Sequence, residues 1–339
     1  MQQTEPMGSP SPSPKRPVRL LSGETLAVRA ALIILFALLL FNVAFTPNFL
    51  SVQTFNLNLT QVATIVIVGC GMTLVIATGG VDLSVGSLMA ISGAIAPMLF
   101  LDSPALGVTL GVALALAIPV LVAGAFGWLN GIFITALRLQ PIVATLVLFI
   151  AGRGIAQVIT NGNLRSFSGS SAASDAFSFI GQGRPLGVPF QVFLMLMVVV
   201  FTAWLLRRTV FGRQVLAVGG NEKAARLAGV PVTRVKLLVY MFSGLLAGLA
   251  GLIVIAINRS SDANQVGQGM ELDAIAAVAV GGTLLSGGRA TVIGTLLGAL
   301  IMQLIRYTLL AKGVPDAAAL VVKAAIIVAA VALQGRRSS

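Results

Sequence analysis

The stretch RRTVFGRQVLAVGGNEKAARLAGVPVTRVK, residues 207–236, is a long polar interval between two apolar runs that are each long enough to cross a bilayer. It carries seven of the chain's 22 Lys and Arg residues but a single acidic residue, Glu222. Short loops that are rich in Lys and Arg remain on the cytoplasmic side of a membrane. We therefore expect this loop to be cytoplasmic and to determine the orientation of the spans on either side.

Within this loop, residues 221–227 (NEKAARL) are predicted to form a short helix. Asn221 is suited to cap its N-terminus, and Glu222 falls in the first turn. Gly229 and Pro231 are suited to end it. A short helix that stands off the cytoplasmic face is typical of a docking element for a soluble partner. The alternative is a basic loop that only sets the topology.

The composition indicates a membrane protein. Of the 339 residues, 57% are hydrophobic and only 9% are charged, whereas soluble proteins carry about 25% charged residues. The basic residues give a net charge of +12. They cluster in loops beside apolar runs, which is the positive-inside bias of a membrane protein rather than a surface that binds nucleic acid.

Several kinds of chemistry are excluded by the residues that the chain lacks. It has no histidine and one cysteine, Cys70, so we predict no imidazole base, no disulfide, no metal site and no cofactor. No lysine follows a glycine, although a phosphate-binding P-loop needs that pair. We therefore predict that the chain has no catalytic residues, and that if ATP drives it, another chain hydrolyses the ATP.

The apolar runs predict an all-α polytopic membrane protein with about ten transmembrane helices and both termini in the cytoplasm. Residues 1–26, with their Ser-Pro repeat, are predicted to be a disordered cytoplasmic tail. Residues 27–334 are then the transmembrane domain, and residues 335–339 a second cytoplasmic tail. The alternative is eight crossings, with the two short glycine-bounded pieces re-entrant. The ten predicted spans are residues 27–45, 54–78, 87–101, 106–128, 141–159, 189–206, 237–257, 271–285, 290–310 and 317–333.

Two glycine-rich motifs precede apolar spans in the two parts of the chain. GGVDLSVG at residues 79–86 and GGTLLSGG at residues 281–288 match at five of eight positions, which predicts two related halves. We expect both motifs at the cytoplasmic ends of their helices. Glycine-interrupted segments in corresponding places mark Gly79, Gly80, Gly281 and Gly282 as candidates for a translocation path. Tight helix–helix contact is the alternative role of these glycines.

Polar side chains within the spans give further expectations. Asn56, Asn58 and Gln61 lie near the predicted outer end of the second span, where they are candidates for the translocation path. Asp82 is expected to cap the third span, because a carboxylate without a partner at membrane depth costs about 3 kcal/mol. Lys323, in the last span, has Arg306 and Asp273 as nearby charges of the same half, and because only Asp273 has the opposite charge, we expect a structural ion pair between Lys323 and Asp273. The alternative is that the lysine side chain extends to the membrane interface.

Several longer motifs carry a resemblance to a known family. The chain is similar to the permease subunits of bacterial ABC importers for monosaccharides, the ribose-type family, from about residue 54 to the C-terminus. Two of the segments are most similar to the galactofuranose permease within that family, namely AGRGIAQVIT (151–160) and RSSDANQVGQGMELDAI (259–275). The other motifs are GMTLVIATGGVDLSVGSLMAISGA (71–94), QPIVATL (140–146), AVGGNEKAARLAGV (217–230) and MELDAIAAVAVGGTLLSGGRATVIGTLLGALI (270–301).

The resemblance implies a subunit of the bacterial inner membrane that pairs with a second permease, either identical or homologous. Two copies of a cytoplasmic ABC ATPase would dock on residues 207–236, and a periplasmic sugar-binding protein would deliver galactofuranose, ribose or a similar monosaccharide to the outer loops. No sugar-contacting residue follows from the resemblance. The residues that it assigns to coupling with the ATPase are Asn221, Glu222, Ala225, Arg226 and Gly229.

Two other classes of protein are weighed against this one. An ion-coupled secondary transporter needs carboxylates or the carbonyl groups of broken helices to bind Na⁺ or H⁺. The candidate carboxylates are Asp82, Glu271 and Asp273, all near predicted interfaces. A membrane enzyme needs a nucleophile with its base or a set of metal ligands, and a chain with no histidine and one cysteine does not supply them.

Overall fold

A computed structural model describes residues 22–101, 107–167, 169, 171–315, 317–326 and 328 of the chain. Its two short strands, β1 (Arg165–Ser166) and β2 (Ser260–Ser261), pair antiparallel, and the remaining elements are helical. The helices are α1 (Ser22–Phe45), α2 (Val52–Ala77), α3 (Val85–Phe100), α4 (Gly107–Thr135), α5 (Pro141–Thr160), α6 (Ala172–Gln182), α7 (Phe190–Arg208), α8 (Val210–Gly220), α9 (Glu222–Leu227), α10 (Val232–Asn258), α11 (Met270–Val280), α12 (Val292–Ala311) and α13 (Ala317–Ile326), with a short 3₁₀ turn at Pro185–Gly187.

Seven of the described helices, α1, α2, α4, α5, α7, α10 and α12, are long and apolar enough to cross a membrane. Each of them lies on one of the predicted spans, and the shorter helices α3, α11 and α13 lie on the other three. The architecture is therefore that of a helical polytopic membrane protein. The molecule is organised around α2, which is almost entirely buried between other helices, whereas α1 lies at the periphery against α12.

The first helix begins earlier than the sequence predicts. The predicted boundary between tail and helix lies at residue 26, but α1 begins at Ser22. No proline separates Ser22 from the apolar run, so the helix extends on the N-terminal side of the apolar residues. Residues 1–21 and the predicted C-terminal tail, 335–339, lie outside the described residues.

The central helix pair is α4 and α10, which approach closely along a row of small residues. A Cβ added at Gly244 of α10 would lie 3.1 Å from the Cα atom of Gly127, and one added at Gly131 of α4 would lie 2.9 Å from the Cα atom of Leu237. Small residues at such contacts allow two backbones in a membrane to approach closely and to gain van der Waals contact. α10 also packs along α2 and α3, so it holds the core together.

Between α2 and α3 the chain leaves the helical conformation and turns back into the molecule. Asp82, in this non-helical segment, is completely buried, and its Oδ2 atom accepts a hydrogen bond of 2.8 Å from Ser243 Oγ. Ser243 lies near the middle of α10, a helix of 27 residues that is about 40 Å long. α3 therefore begins deep inside the bundle, rather than at one end of it.

The prediction that Asp82 caps α3 is wrong. Ser84 occupies the N-cap position, since its carbonyl oxygen accepts the first helical hydrogen bond, from Leu88. The Asp82 carboxylate instead accepts hydrogen bonds from Ser84 N (3.0 Å) and Ser84 Oγ (2.6 Å). An aspartate that bonds the backbone two residues ahead forms an Asx turn, so its carboxylate fixes the turn that precedes the helix.

Two polar segments between the predicted spans, residues 160–188 and 258–270, contain regular secondary structure. Residues 160–188 contain α6, and β1 within them pairs with β2, which follows α10. The ring of Phe177, on α6, lies 4.7 Å from that of Phe100 at the end of α3. Ser171 caps α6 by accepting a hydrogen bond from Ser174 N at 3.2 Å. A capping serine followed by apolar residues at helical spacing is a local signal from which this helix is predictable.

Candidate functional site

The predicted short helix in the basic loop is present as α9. Asn221 Oδ1 accepts a hydrogen bond of 3.0 Å from Ala224 N, which is the expected N-cap. At the other end Gly229 has a φ of +80°, and Val230 N donates to Ala225 O at 3.0 Å. A glycine in the left-handed region followed by this bond is the usual end of a helix, so the start and the end of α9 follow from local sequence signals.

One face of α9 is anchored to the rest of the molecule. Glu222 accepts hydrogen bonds from Lys236 Nζ of α10 at 2.7 Å and from Arg226 at 3.3 Å. The hydrogen bond from Lys236, together with the charges of Lys236 and Arg226, holds the pKa of Glu222 below its usual value. Ala225 is buried against apolar residues of α8 and α10. α9 is therefore a positioned element with a fixed orientation.

The other face of α9 projects away from the protein. Leu227 is 91% exposed, because a residue two positions from the buried Ala225 lies on nearly the opposite side of a helix. Arg226 and Arg234 line a shallow groove beside it, and Lys223 and Arg226 are themselves largely exposed. An exposed leucine with a basic rim is suited to a protein partner with an apolar pocket and acidic edges. We did not single out Leu227 from the sequence, although its spacing from Ala225 was the available signal.

α8 connects α9 to both glycine-rich motifs. Gly288 N, in the second motif, donates a 3.0 Å hydrogen bond to Ala77 O at the end of α2, directly before the first motif. Gly219 of α8 lies against the same two groups, since a Cβ added there would lie 2.6 Å from Gly288 N and would overlap the Ala77 carbonyl. The end of the molecule that carries α8 and α9, here called the basic end, therefore includes the point where the two motifs meet.

Three of the four motif glycines predicted to line a translocation path, Gly79, Gly80 and Gly281, lie in close contact with other segments. A Cβ added at Gly287 would lie 2.9 Å from Gly79 N, and one added at Gly80 would overlap the hydroxyl of Tyr240. Gly281 packs against Gly294 of α12, and Gly282 has a φ of +87°. The structure thus brings Gly79 to the second motif, while Gly281 lies in a separate helix contact.

The candidate amides of the second span divide into two groups. Gln303 Nε2, on α12, donates hydrogen bonds to Gln61 Oε1 at 2.6 Å and to Asn58 Oδ1 at 3.2 Å. Asn56 lies apart from this amide cluster and donates a long hydrogen bond, 3.4 Å, to Gly187 O. Gln303 is buried and Gln61 is exposed. A polar side chain exposed on an apolar membrane helix faces a partner helix or water rather than lipid.

The expected ion pair between Lys323 of α13 and Asp273 of α11 is present. Both side chains are mostly buried, with 16% and 15% of their surfaces exposed. The pair connects two of the short helices and compensates two mostly buried charges, which is a structural role.

Removing one partner of this pair is expected to destabilise the protein more than removing both. Lys323→Leu leaves the Asp273 carboxylate without its counter-ion, at a cost of about 3–5 kcal/mol, whereas the Lys323→Leu/Asp273→Leu double variant recovers much of that loss. Thermal unfolding of the purified protein in detergent measures the difference. Equal losses in the single and double variants would contradict the assigned role.

These features define a class of protein. A bundle of apolar helices surrounds the non-helical segment between α2 and α3 and its buried polar groups, and a positioned basic helix at one end exposes a surface of the kind that suits a soluble partner. That combination is the architecture of a polytopic membrane permease.

Comparison with known proteins gives the family. Residues 55–331 match the family described as "Branched-chain amino acid transport system / permease component". The ribose import permease protein RbsC of Escherichia coli is 39% identical over 307 residues, which are 91% of this chain and 93% of that protein. The galactofuranose transporter permease protein YtfT of Escherichia coli is 40% identical over 279 residues, 82% of this chain and 79% of YtfT. The fructose import permease protein FruF of Bifidobacterium longum is 38% identical over 256 residues, 76% of this chain and 70% of FruF.

The chain belongs to this family of permease components and is a protein of the bacterial inner membrane. The similarity to the ribose-type permeases that the sequence motifs indicate is confirmed. No solved structure matches the chain.

Proposed function

We propose that the chain is the membrane-spanning subunit of an ATP-driven importer that carries a monosaccharide across the inner membrane. The observation that carries this proposal is the similarity, over most of the chain, to permeases named for ribose, galactofuranose and fructose. ATP is hydrolysed by a separate subunit, because the sequence has no Gly-Lys pair from which a P-loop could be built.

In this proposal the chain crosses the membrane ten times, with both termini and residues 207–236 in the cytoplasm. Seven long apolar helices support that count, and α3, α11 and α13 are the three shorter crossings. α3 and α11 fall short of the membrane thickness because non-helical segments precede them and complete the crossing. The Lys and Arg content of the loop that contains α8 and α9 supports the orientation.

The ATPase docks on α9. The helix is held in place through Glu222 and Ala225, while Arg226 and the neighbouring Leu227 are exposed for contact. Asn221 and Gly229 fix the start and the end of the helix, so their contribution to coupling is to keep its shape. A sugar-binding protein of the periplasm docks at the opposite end, on the surface that α6 and the β1–β2 pair form.

The transport unit contains two permease chains, either two copies of this one or one copy with a homologue. Asn58 and Gln61 line the path between them, positioned by Gln303. The exposed amide of Gln61 supports this placement, since lipid does not offer it a hydrogen-bond partner. Gly79 and the other motif glycines contribute the close contact that allows the path to open and close at the basic end. Asn56, which bonds elsewhere, has a structural role in this proposal.

Sugar uptake tests the proposal. Cells that carry the candidate ATPase and binding protein are supplied with radiolabelled ribose, galactofuranose, fructose or galactose, with and without this chain. We expect uptake of one sugar that requires the chain, stops on ATP depletion and survives collapse of the ion gradients by an ionophore. Uptake that survives ATP depletion but stops with the ionophore would establish an ion-coupled transporter instead. Absence of uptake of every sugar, in cells where the three proteins assemble, would overturn the sugar assignment.

A further inference from the structure

A cavity of about 470 Å³ lies between α11, α12 and α13, at the side of the loop that follows β2. It is here called the α12–α13 cavity. Its volume falls within the range of about 300–1,000 Å³ that small-molecule sites occupy. Its polar lining consists of Gln265, Gln268, Asp273, Arg306 and Lys323.

The charged groups of this lining are engaged with partners of their own. Asp273 and Lys323 form the ion pair described above, and Arg306 also has an interaction. A ligand with a full charge would have to compete with one of these contacts. The two carboxamides, in contrast, are exposed and offer both donors and acceptors.

The remaining wall of the cavity is apolar and includes Leu272, Leu309 and Leu320. A lining that combines hydrogen-bonding amides with apolar side chains matches a neutral polyhydroxylated ring, whose hydroxyls need donors and acceptors and whose C–H faces pack against apolar groups. A cavity that binds lipid tails would have an apolar lining, whereas five side chains of this lining are polar and lipid offers them no hydrogen-bond partner.

The cavity lies next to the path of the proposed function. Met302 and Arg306 of α12 line it, and Gln303, the centre of the amide cluster, follows Met302 on the neighbouring face of the same helix. The loop between β2 and α11, which carries Gln265 and Gln268, starts at the end of α10 that is remote from the basic end and reaches into the bundle, where Gly267 packs against Gly86 in the first turn of α3. The cavity is thus accessible from the side at which a binding protein would release its sugar.

We propose that the α12–α13 cavity is an entry subsite, where Gln265 and Gln268 hold the neutral monosaccharide before it reaches the amide cluster. This inference rests on the proposed function.

Thiol labelling of the complete complex tests the subsite. The only cysteine, Cys70, is fully buried and does not need to be replaced. Leu272→Cys places a thiol on the apolar wall, at a position 51% exposed, and Val321→Cys places one on α13 outside the cavity lining, at a position 71% exposed. A positively charged methanethiosulfonate reagent, which enters water but not lipid, should modify Leu272→Cys and not the control.

Protection by sugar is the second readout. A transported sugar at about ten times its dissociation constant should slow modification of Leu272→Cys by about tenfold, by mass action, and a sugar that is not transported should leave the rate unchanged. Gln265→Leu and Gln268→Leu, each added to Leu272→Cys, should raise the sugar concentration for half-protection by about tenfold. Asn264→Leu, a change of the same type on the same loop but outside the lining, should not.

The possible failures are distinguishable. If the complex imports a sugar and the thiol at position 272 is not modified, or is modified equally with and without that sugar, the subsite is wrong and the proposed function stands. If the two glutamine variants behave like Asn264→Leu, the assigned contacts are wrong. If the complex imports no sugar at all, the proposed function itself fails.

Discussion

Leu227→Asp is expected to abolish ATP-dependent uptake while the permease remains folded in the membrane. The side chain is 91% exposed, so the substitution removes little internal packing. In the proposed complex it is the apolar anchor of α9, and loss of one such anchor costs about 2–4 kcal/mol, or about 30- to 1,000-fold in affinity. The new carboxylate also disturbs the basic rim that Arg226 and Arg234 provide.

Co-purification of the ATPase with the tagged permease measures this effect directly, and sugar uptake measures its consequence. Leu186→Asp is the matched control, because Leu186 is 94% exposed but lies in the 3₁₀ turn beyond α6, at the other end of the molecule. We expect the control to retain the ATPase and Leu227→Asp to lose it. Normal recovery of the ATPase with Leu227→Asp would show that α9 is not the docking element.

The local features of the fold could be predicted from the sequence. α9 follows from the amide of Asn221 and the glycine at position 229, and both act on backbone groups within a few residues of themselves. The long spans follow from hydrophobic runs alone. Asp82 shows the limit of such reasoning. Its need for a partner was predictable, but the choice between an Asx turn and a helix cap depends on backbone angles that a sequence pattern does not specify.

Contacts between residues far apart in the chain could not be predicted from the sequence. Gln61 and Gln303 are separated by 242 positions, and no spacing predicts that their amides bond to each other. The resemblance between the two glycine motifs was visible, yet their contact at Ala77 and Gly288 depends on the packing of three separate segments. The ion pair of Asp273 with Lys323 was predictable because Asp273 was the nearby charge of opposite sign in the same half of the chain.

These contacts form a continuous connection from the proposed docking surface on α9 to the centre of the bundle. α9 is tied to α10 through the Glu222–Lys236 ion pair, and α8 packs its last turn against the junction of the two glycine motifs. The first motif leads directly to Asp82 and the start of α3. A movement of α9, the proposed docking helix, therefore has a physical route to the non-helical segment before α3, and Gly219 lies at a close backbone contact on that route.

Gly219→Ala is expected to break this connection, whereas Gly220→Ala, one residue further along α8, is expected to be neutral. The added methyl group at position 219 overlaps the Ala77 carbonyl and lies 2.6 Å from Gly288 N, so two backbones have to separate and the Gly288–Ala77 hydrogen bond is lost. Overpacking of this kind costs about 1–3 kcal/mol. A Cβ added at Gly220 has no neighbour within 4 Å.

Thermal unfolding and uptake, measured for both variants beside the unaltered chain, separate the two positions. We expect Gly219→Ala to unfold at a lower temperature and to lose most of its uptake while the ATPase still co-purifies, because the exposed face of α9 is unchanged. We expect Gly220→Ala to match the unaltered chain in all three measurements. Full uptake by Gly219→Ala would show that force from the ATPase reaches the glycine motifs by another route, and a matching loss in Gly220→Ala would show that the effect does not depend on the close contact at position 219.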